Sequence, residues 1–546
     1  MPRLPSPLNP TTISLLVATW IGSLTNFPLW RALSTLPEMS SGRGTVFIFG
    51  FAVAVIALTF ALLTVFATRH TIKPVAALFL LSAAFGAHFM GTYGIVIDPT
   101  MMVNVLQTDA RETRDLMSWR MVGTVLLLAG LPMWALWRIQ VNPTSVFRQI
   151  GRNAIAVIVS LALVVAIVLA LFADLSATMR NHKQVRYLIN PLNSFFALAV
   201  LAAQSGAKPA GPPMAIGLDA KALPRTAGAR PPLLLLVVGE TGRADHFSLN
   251  GYSRATNAEL AHRQVLSFAE VSSCGTSTAA SLPCMFSQLG RKAFEKRDRD
   301  QENLLDVLQR AGYAVLWLDN QAGCKGLCDR VPNAMAGDVV AGDEKAIKGL
   351  CDPQGECLDE TLMLGLDKRL ATLPAERRAK GVVLVLHQMG SHGPAYYKRS
   401  PQSHKRFTPE CTTNVLQQCE NSALVNAYDN SIVYTDHVLA LGIDWLKTHV
   451  GDYAPAMLYV SDHGESLGEN NLYLHGLPYA VAPREQTHVP MVIWLPEQDP
   501  LTSCLAAQTK DALSHDNLFH TVLGLVGARS SEYKTAWDIT AKCALR

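Results

Sequence analysis

Five side chains able to hold a metal ion follow closely on apolar runs in the second half of the chain: Glu240, His387, His392, Asp462 and His463. Glu240 follows the run in "PPLLLLVVGETG", where six apolar residues at 233–238 show no alternation. His387 closes the run 382–386, and His392 comes one glycine turn later in "HQMGSHGP". Asp462 and His463 close the run 456–460 in "VSDHGES". A single carboxylate at a loop start is usually a solvated residue, and a single histidine is usually a satisfied core residue. Four or five such groups on successive strand ends are harder to dismiss, because parallel strands bring their carboxyl ends to one edge. That edge is where open α/β sheets bind ligands. Carboxylate oxygen with imidazole nitrogen suits zinc, and manganese or magnesium less as the histidine share rises.

A catalytic metal keeps one position for the reacting group, and a hydroxyl-rich stretch lies between the first two of these runs. "SSCGTSTAASLPCMF" offers Thr276, Ser277, Thr278 and Ser281 in a segment that a Cys274–Cys284 bridge would close. Small and apolar residues follow, as at a helix start. A hydroxyl there would have free backbone N–H groups and the positive end of a helix dipole beside it, which suits an anionic phosphate. An ordinary Ser/Thr N-cap gives the same pattern, and composition does not choose among the four hydroxyls.

The elements that must position these groups divide the chain in two. From residue 231 onward, apolar runs at 233–238, 314–318, 382–386, 456–460 and 491–495 alternate with amphipathic segments such as "ENLLDVLQRAGY" and "NSIVYTDHVLALGIDWLKTH". That alternation predicts a doubly wound parallel sheet with helices on both faces, an α/β/α domain. Before residue 175 the chain is different. Five stretches, 4–30, 44–68, 74–97, 121–137 and 153–173, contain no Asp, Glu, Lys or Arg. Each approaches the roughly 17–25 residues that a helix needs to cross a bilayer. One could be a buried soluble helix; five predict a five-helix transmembrane domain over 1–175. The first stretch lacks the small-residue cleavage site of a removable leader and reads as an anchor.

Charge sets the orientation. Only 16% of residues are charged, against about one quarter in soluble domains. The net charge of +4 gives no reason to expect a nucleic-acid partner. Arg3, Arg69, Lys73, Arg138, Arg148 and Arg152 fall on one side and Arg111, Arg114 and Arg120 on the other, which places the N-terminus in the cytoplasm. Five crossings then export everything beyond residue 175. All ten cysteines lie at or after Cys274, as expected for an oxidising compartment. Eight form close pairs, Cys274/Cys284, Cys324/Cys328, Cys351/Cys357 and Cys411/Cys419, leaving Cys504 and Cys543 for a fifth bridge. Zinc-binding thiolates at Cys324 and Cys328 are the weaker reading, because no second pair has matching spacing. The short apolar run 194–203 is about half the length needed to span. Residues 179–204 therefore read as a helix lying on the outer membrane surface, and 176–230 as juxtamembrane helix and linker before a catalytic domain at 231–546.

Together "VVGETGRADHFSLNGYSR", "SSCGTSTAASLPCMF", "LHQMGSHGPAYYKR", "AYDNSIVYTD" and "VSDHGESLGENNLYLHGLPYA" closely resemble the lipid A phosphoethanolamine transferases, both chromosomal and of the mobile colistin-resistance type. The resemblance covers essentially the whole chain. It implies five membrane helices, a linker and a periplasmic domain of alkaline-phosphatase type, anchored in the inner membrane of a Gram-negative cell. It implies Thr278 as nucleophile and Glu240, Thr278, Asp462 and His463 as ligands of a tightly bound zinc. His392 and His475 would bind substrate phosphate or a second, looser zinc, and Lys325 would contact the phosphoethanolamine group. Asn104, Thr108 and Glu112 fall in a segment matching a lipid-binding one. The implied reaction moves phosphoethanolamine from phosphatidylethanolamine to a lipid A phosphate through a covalent threonine ester, by a monomer, and confers resistance to polymyxins. A phosphoglycerol transferase of the lipoteichoic-acid type shares fold and topology. A membrane-anchored phosphatase or sulfatase is a further alternative, although the Cys-x-Pro-x-Arg element of sulfatases is missing around Cys284. A non-enzymatic sensor would follow if the strand-end residues were structural.

Overall fold

Apolar helices dominate the first part of the computed structural model, which describes residues 7–108, 110–207, 211–338 and 342–544. Arg3, residues 4–6 of the first apolar run, Asp109 and residues 208–210 of the expected linker lie outside the described residues. Four helices are long and apolar enough to span a bilayer: Gly42–Val65, Ile72–Tyr93, Trp119–Arg138 and Val146–Ala170. A fifth candidate span is broken. Pro10–Thr25 and Phe27–Ser34 meet at 49°, around Asn26 and just before Pro28, which has no amide hydrogen to donate. In the most apolar windows of Trp119–Arg138 and Val146–Ala170 only 17% and 11% of residues are buried within the protein. Their side chains face outward, an arrangement that lipid accepts and water penalises.

Residues 179–204 do not form the single surface helix expected. They give the end of a helix Phe172–Asn181, a 3₁₀ segment Lys183–Leu188 and a second helix Leu192–Ala207. The break comes at Asn190, because the residue before a proline disfavours the helical region. Asn190 is fully buried. Its side chain donates to the carbonyls of Thr25 and Ala83 at 3.1 and 2.6 Å, and its backbone exchanges hydrogen bonds with the Asn26 side chain.

The chain divides into two compact units, one formed by Met1–Met102 and Met117–Gln204, the other by Val103–Leu116 and Ser205–Arg546. The second unit is built on eight strands: β1 Pro232–Gly239, β2 Leu266–Ser272, β3 Ala314–Asp319, β4 Asn333–Met335, β5 Val382–His387, β6 Ala454–Ser461, β7 His488–Trp494 and β8 Leu513–Ser514. Their order is β8-β2-β7-β6-β1-β5-β3-β4. All five expected strands are present. β1 pairs in parallel with β5 and β6, and β3 with β5 and β4.

The sheet is not wholly parallel, however. β7 runs antiparallel to both β6 and β2. The chain between β6 and β7 holds only short strands and 3₁₀ turns. A parallel return needs a crossover of a dozen or more residues, usually a helix.

β1 shows why six apolar residues run without alternation. Every residue from Leu233 to Gly239 is buried. Leu234, Leu236 and Val238 share a core with Phe519, Val522 and Leu523 of the helix Leu518–Val526. On the opposite face Gly442 of the helix Asn421–Lys447 lies so near Leu235 that a Cβ there would meet its side chain at 2.9 Å. Each fully buried leucine contributes about 1.5–3 kcal/mol. The ten cysteines form five disulfides, Cys274–Cys284, Cys324–Cys328, Cys351–Cys357, Cys411–Cys419 and Cys504–Cys543, all in this unit.

Candidate active site

Glu240 leaves the end of β1 and Asp462 and His463 leave the end of β6, so parallel pairing of the two strands brings the three together. Gly390 guards the approach. It adopts φ +52° with its α-carbon against the Glu240 backbone, where a Cβ would lie 2.6 Å from the Glu240 carbonyl oxygen. The turn containing Gly390 is held by Asp359, whose carboxylate accepts from the amides of Met389 and Gly390 at 2.7 and 2.8 Å.

Each of the three groups is half engaged and half open. Asp462 Oδ1 accepts from the amides of His463 and Thr241 at 2.7 and 3.3 Å, while Oδ2 has no hydrogen-bond partner. His463 Nδ1 is 2.9 Å from the Gly464 carbonyl, which leaves Nε2 facing inward. Glu240 Oε2 accepts from the Thr278 hydroxyl at 2.9 Å, while Oε1 has no hydrogen-bond partner. His463 Nε2 lies 3.2 Å from Glu240 Oε1, 3.4 Å from Asp462 Oδ2 and 3.5 Å from Thr278 Oγ1. All three residues are at most 1% exposed.

Two buried carboxylates this close demand a positive charge. Burial and the neighbouring Glu240 push the Asp462 carboxyl up to about 7. Burial opposes a charge on His463, but Asp462 and Glu240 outweigh it and raise the ring to about 10. A divalent cation between the open atoms meets the same demand. The donors, two carboxylate oxygens, one imidazole nitrogen and one hydroxyl within mutual reach, fit a four-coordinate zinc ion.

The structure separates the four hydroxyls. Thr276 donates to the Leu477 carbonyl at 2.6 Å and Ser281 to the Asp462 carbonyl at 2.5 Å. Ser277 sits at the N-cap of the helix Thr278–Met285 with its Oγ buried and unpartnered. Thr278, the first residue of that helix, alone among them bonds to the carboxylate cluster.

A second rank of groups borders the cluster. The His475 ring lies 4.3 Å from the His463 ring and 5.7 Å from the His392 ring, centroid to centroid. His475 Nδ1 is 2.8 Å from Glu465 Oε2. His392 Nε2 is 3.6 Å from Glu112 Oε1. Thr108 is placed differently, its hydroxyl donating to the Asn104 carbonyl one helical turn back. Lys325 turns onto its own loop and donates to the Ala322 carbonyl at 3.3 Å. His387 ends β5 but gives its Nδ1 to Asp319 at 3.1 Å, leaving Nε2 without a partner.

Sequence reasoning passed over Glu465, His515 and Asp359. Glu465 accepts from Tyr396 and His475 together. His515 is 3.2 Å from the Ser281 hydroxyl and 2.9 Å from the Ser461 carbonyl, joining the Thr278 helix to the end of β6. Glu465 stands inside "SDHGES", where its neighbours already pointed to the site; nothing local marks the other two.

Residues 232–528 match the sulfatase family model, and residues 55–205 match that of phosphoethanolamine transferase EptA/EptB. A sulfatase-type domain thus follows a membrane domain of a narrower kind. Phosphoethanolamine transferase EptA of Salmonella typhimurium is 39% identical over 97% of this chain and 96% of its own length. Phosphatidylethanolamine transferase Mcr-1 of Escherichia coli is 37% identical over 96% of each. The structure of the integral membrane lipooligosaccharide phosphoethanolamine transferase A from Neisseria meningitidis superposes with a TM-score of 0.91, at 34% identity, over 98% of this chain and 99% of that one. The chain belongs to the phosphoethanolamine transferase family, and it is a membrane enzyme.

Proposed function

We propose that the protein transfers phosphoethanolamine from phosphatidylethanolamine to a phosphate of lipid A, with Thr278 as the covalent carrier. The observation that carries this reading is the Thr278 hydroxyl, set at the start of a helix and 2.9 Å from a carboxylate whose other oxygen is open. Glu240 orients Oγ1. Attack on the donor phosphorus forms the Thr278 O–P bond and breaks the P–O bond to diacylglycerol, whose oxygen leaves with a proton. A lipid A phosphate oxygen then attacks the same phosphorus and restores the threonine. Zinc held by Glu240, Thr278, Asp462 and His463 would supply Lewis-acid polarisation and favour the ionised hydroxyl. His392 and His475 would steady the donor phosphate or hold a second, looser zinc, Lys325 would contact the phosphoethanolamine group, and His387 would bind substrate or that second metal. Glu112 would meet the ethanolamine ammonium, with Asn104 and Thr108 on the same segment facing the lipid.

Two relatives support the substrate and the place. One relative in Escherichia coli is a Kdo(2)-lipid A phosphoethanolamine 7''-transferase, and a solved relative at 40% identity is the C-terminal periplasmic domain of a phosphoethanolamine transferase from Campylobacter jejuni. The reading places the enzyme in a Gram-negative inner membrane, as a monomer with its catalytic unit in the periplasm. The added amine reduces the surface's attraction for cationic peptides such as polymyxins. The test is incubation with phosphatidylethanolamine labelled in its headgroup, followed by mass spectrometry of the protein and of lipid A. Label on the Thr278 peptide and then on lipid A is expected. Free phosphoethanolamine without adduct or modified lipid A would mark a hydrolase instead, and transfer only of phosphoglycerol would mark the lipoteichoic-acid type.

A further inference from the structure

A second group of side chains of the metal-ligating type gathers at the helix Asn421–Lys447, which carries one of them. Glu259, His404 and His437 come from three separate segments, yet one ligand atom of each lies within 4.8 Å of the others. His437 Nδ1 is 3.0 Å from Glu259 Oε1, and the His404 and His437 rings are 4.3 Å apart. We propose that these three residues form a second transition-metal site, taking zinc, which clamps the loop after His392 to this helix.

The segments are anchored before any metal arrives. Asp436 accepts from the amides of Glu259 and Leu260 at 2.8 and 3.1 Å and so caps the helix Ala258–His262. Asn430 accepts from the amides of Arg406 and Phe407, both at 2.9 Å, and donates to the Phe407 carbonyl. Asn430, Tyr434 and His437 share one face of the long helix at four- and three-residue spacing. Tyr434 backs the site, its ring 5.2 Å from His404 and 6.1 Å from His437.

The donors are in a usable state. Arg263 approaches Glu259 Oε2 at 3.8 Å, leaving Oε1 to the histidines. Ser403 lies 3.0 Å from His404 Nδ1. Donors about 2.0–2.2 Å from a tetrahedral zinc stand roughly 3–3.5 Å apart, close to the observed His437–Glu259 spacing. The side chains of His437 and Glu259 are 20% and 30% exposed, so a fourth, water ligand has access. Two imidazoles and one carboxylate favour zinc over magnesium or calcium.

The experiment uses full-length protein in detergent, equilibrated with zinc chloride, freed of excess metal by gel filtration and assayed for zinc per chain. His404→Ala and His437→Ala are each expected to lose one equivalent relative to the unaltered protein while keeping the zinc at the strand edge. Limited proteolysis should then show faster cleavage between residues 396 and 410. Equal zinc content in the unaltered protein and the His404→Ala variant would overturn the proposal. His404 lies on a surface turn, so this comparison stands even where His437→Ala, within the packed helix, folds poorly.

Discussion

Two ranks of histidine and carboxylate meet at the carboxyl edge of the sheet, and they are held by different means. In the inner rank the spare atoms of Asp462 and His463 are fixed by backbone groups, the amides of Thr241 and His463 and the Gly464 carbonyl. In the outer rank the fixing groups are side chains. His475 leans on Glu465, itself held by Tyr396, and His392 faces Glu112 on the separate helix Ala110–Leu116. Backbone fixed by a sheet places atoms closely and without help from a ligand, as metal coordination requires. Side chains holding side chains can adjust, as suits a substrate that must enter and leave. On the proposed function, the inner rank would persist through turnover and the outer rank would follow it.

The largest expected effect tests the hydroxyl bonded to the inner rank. Thr278→Ala should reduce transfer to background and abolish the covalent adduct, read by peptide mass mapping. An adduct found on Ser277 or Ser281 would give the carrier role to another hydroxyl. Next is the inner rank itself. Asp462→Ala should release zinc and lower transfer by more than about 100-fold, since even partners behind metal ligands are worth about 10–100-fold. Retention of both zinc and activity would mean that the cluster is structural.

The outer rank should behave otherwise. Glu465→Gln should lower transfer by about 10–100-fold with zinc content unchanged; zinc loss equal to that of Asp462→Ala would erase the distinction between the ranks. The smallest effect belongs to the partly exposed pair. Glu112→Gln should raise the KM for the lipid donor by about 2–5-fold, the scale of a weak ion pair, with kcat nearly unchanged. A large fall in kcat at constant KM would place Glu112 in the chemical step instead.

Much of this arrangement is legible in the sequence, for physical reasons that also mark the limit. β1, β3, β5 and β6 are buried over most of their length and so read as continuous apolar runs, and β1, β5 and β6 run into the candidate site residues. β2 escaped notice because its burial is broken: Phe268 and Val271 are buried while Glu270 between them is exposed, across an irregularity in its pairing with β7. The direction of β7 depends on what the chain before it lacks, a crossover helix. By residue type Thr278 could not be told from Thr276 or Ser281; in the fold the carbonyls of Leu477 and Asp462 claim the other two. Glu465 owes its role to Tyr396, which lies 69 residues away in the chain.

The buried pairing of Asn26 with Asn190 bears on how the protein is made. The two residues are 164 positions apart. At about 5–20 residues per second the ribosome needs roughly 8 to 33 s to travel between them. Through that interval the first span carries a break whose amide and carbonyl groups lack their final partner, a costly condition in lipid. Only when Asn190 emerges can the bundle close around it, and by then the whole sheet is still unwritten. The nascent chain thus finishes its anchor at the last moment before it begins its catalyst, and a substitution at Asn190 should show first as loss of inserted protein, well ahead of any change in turnover.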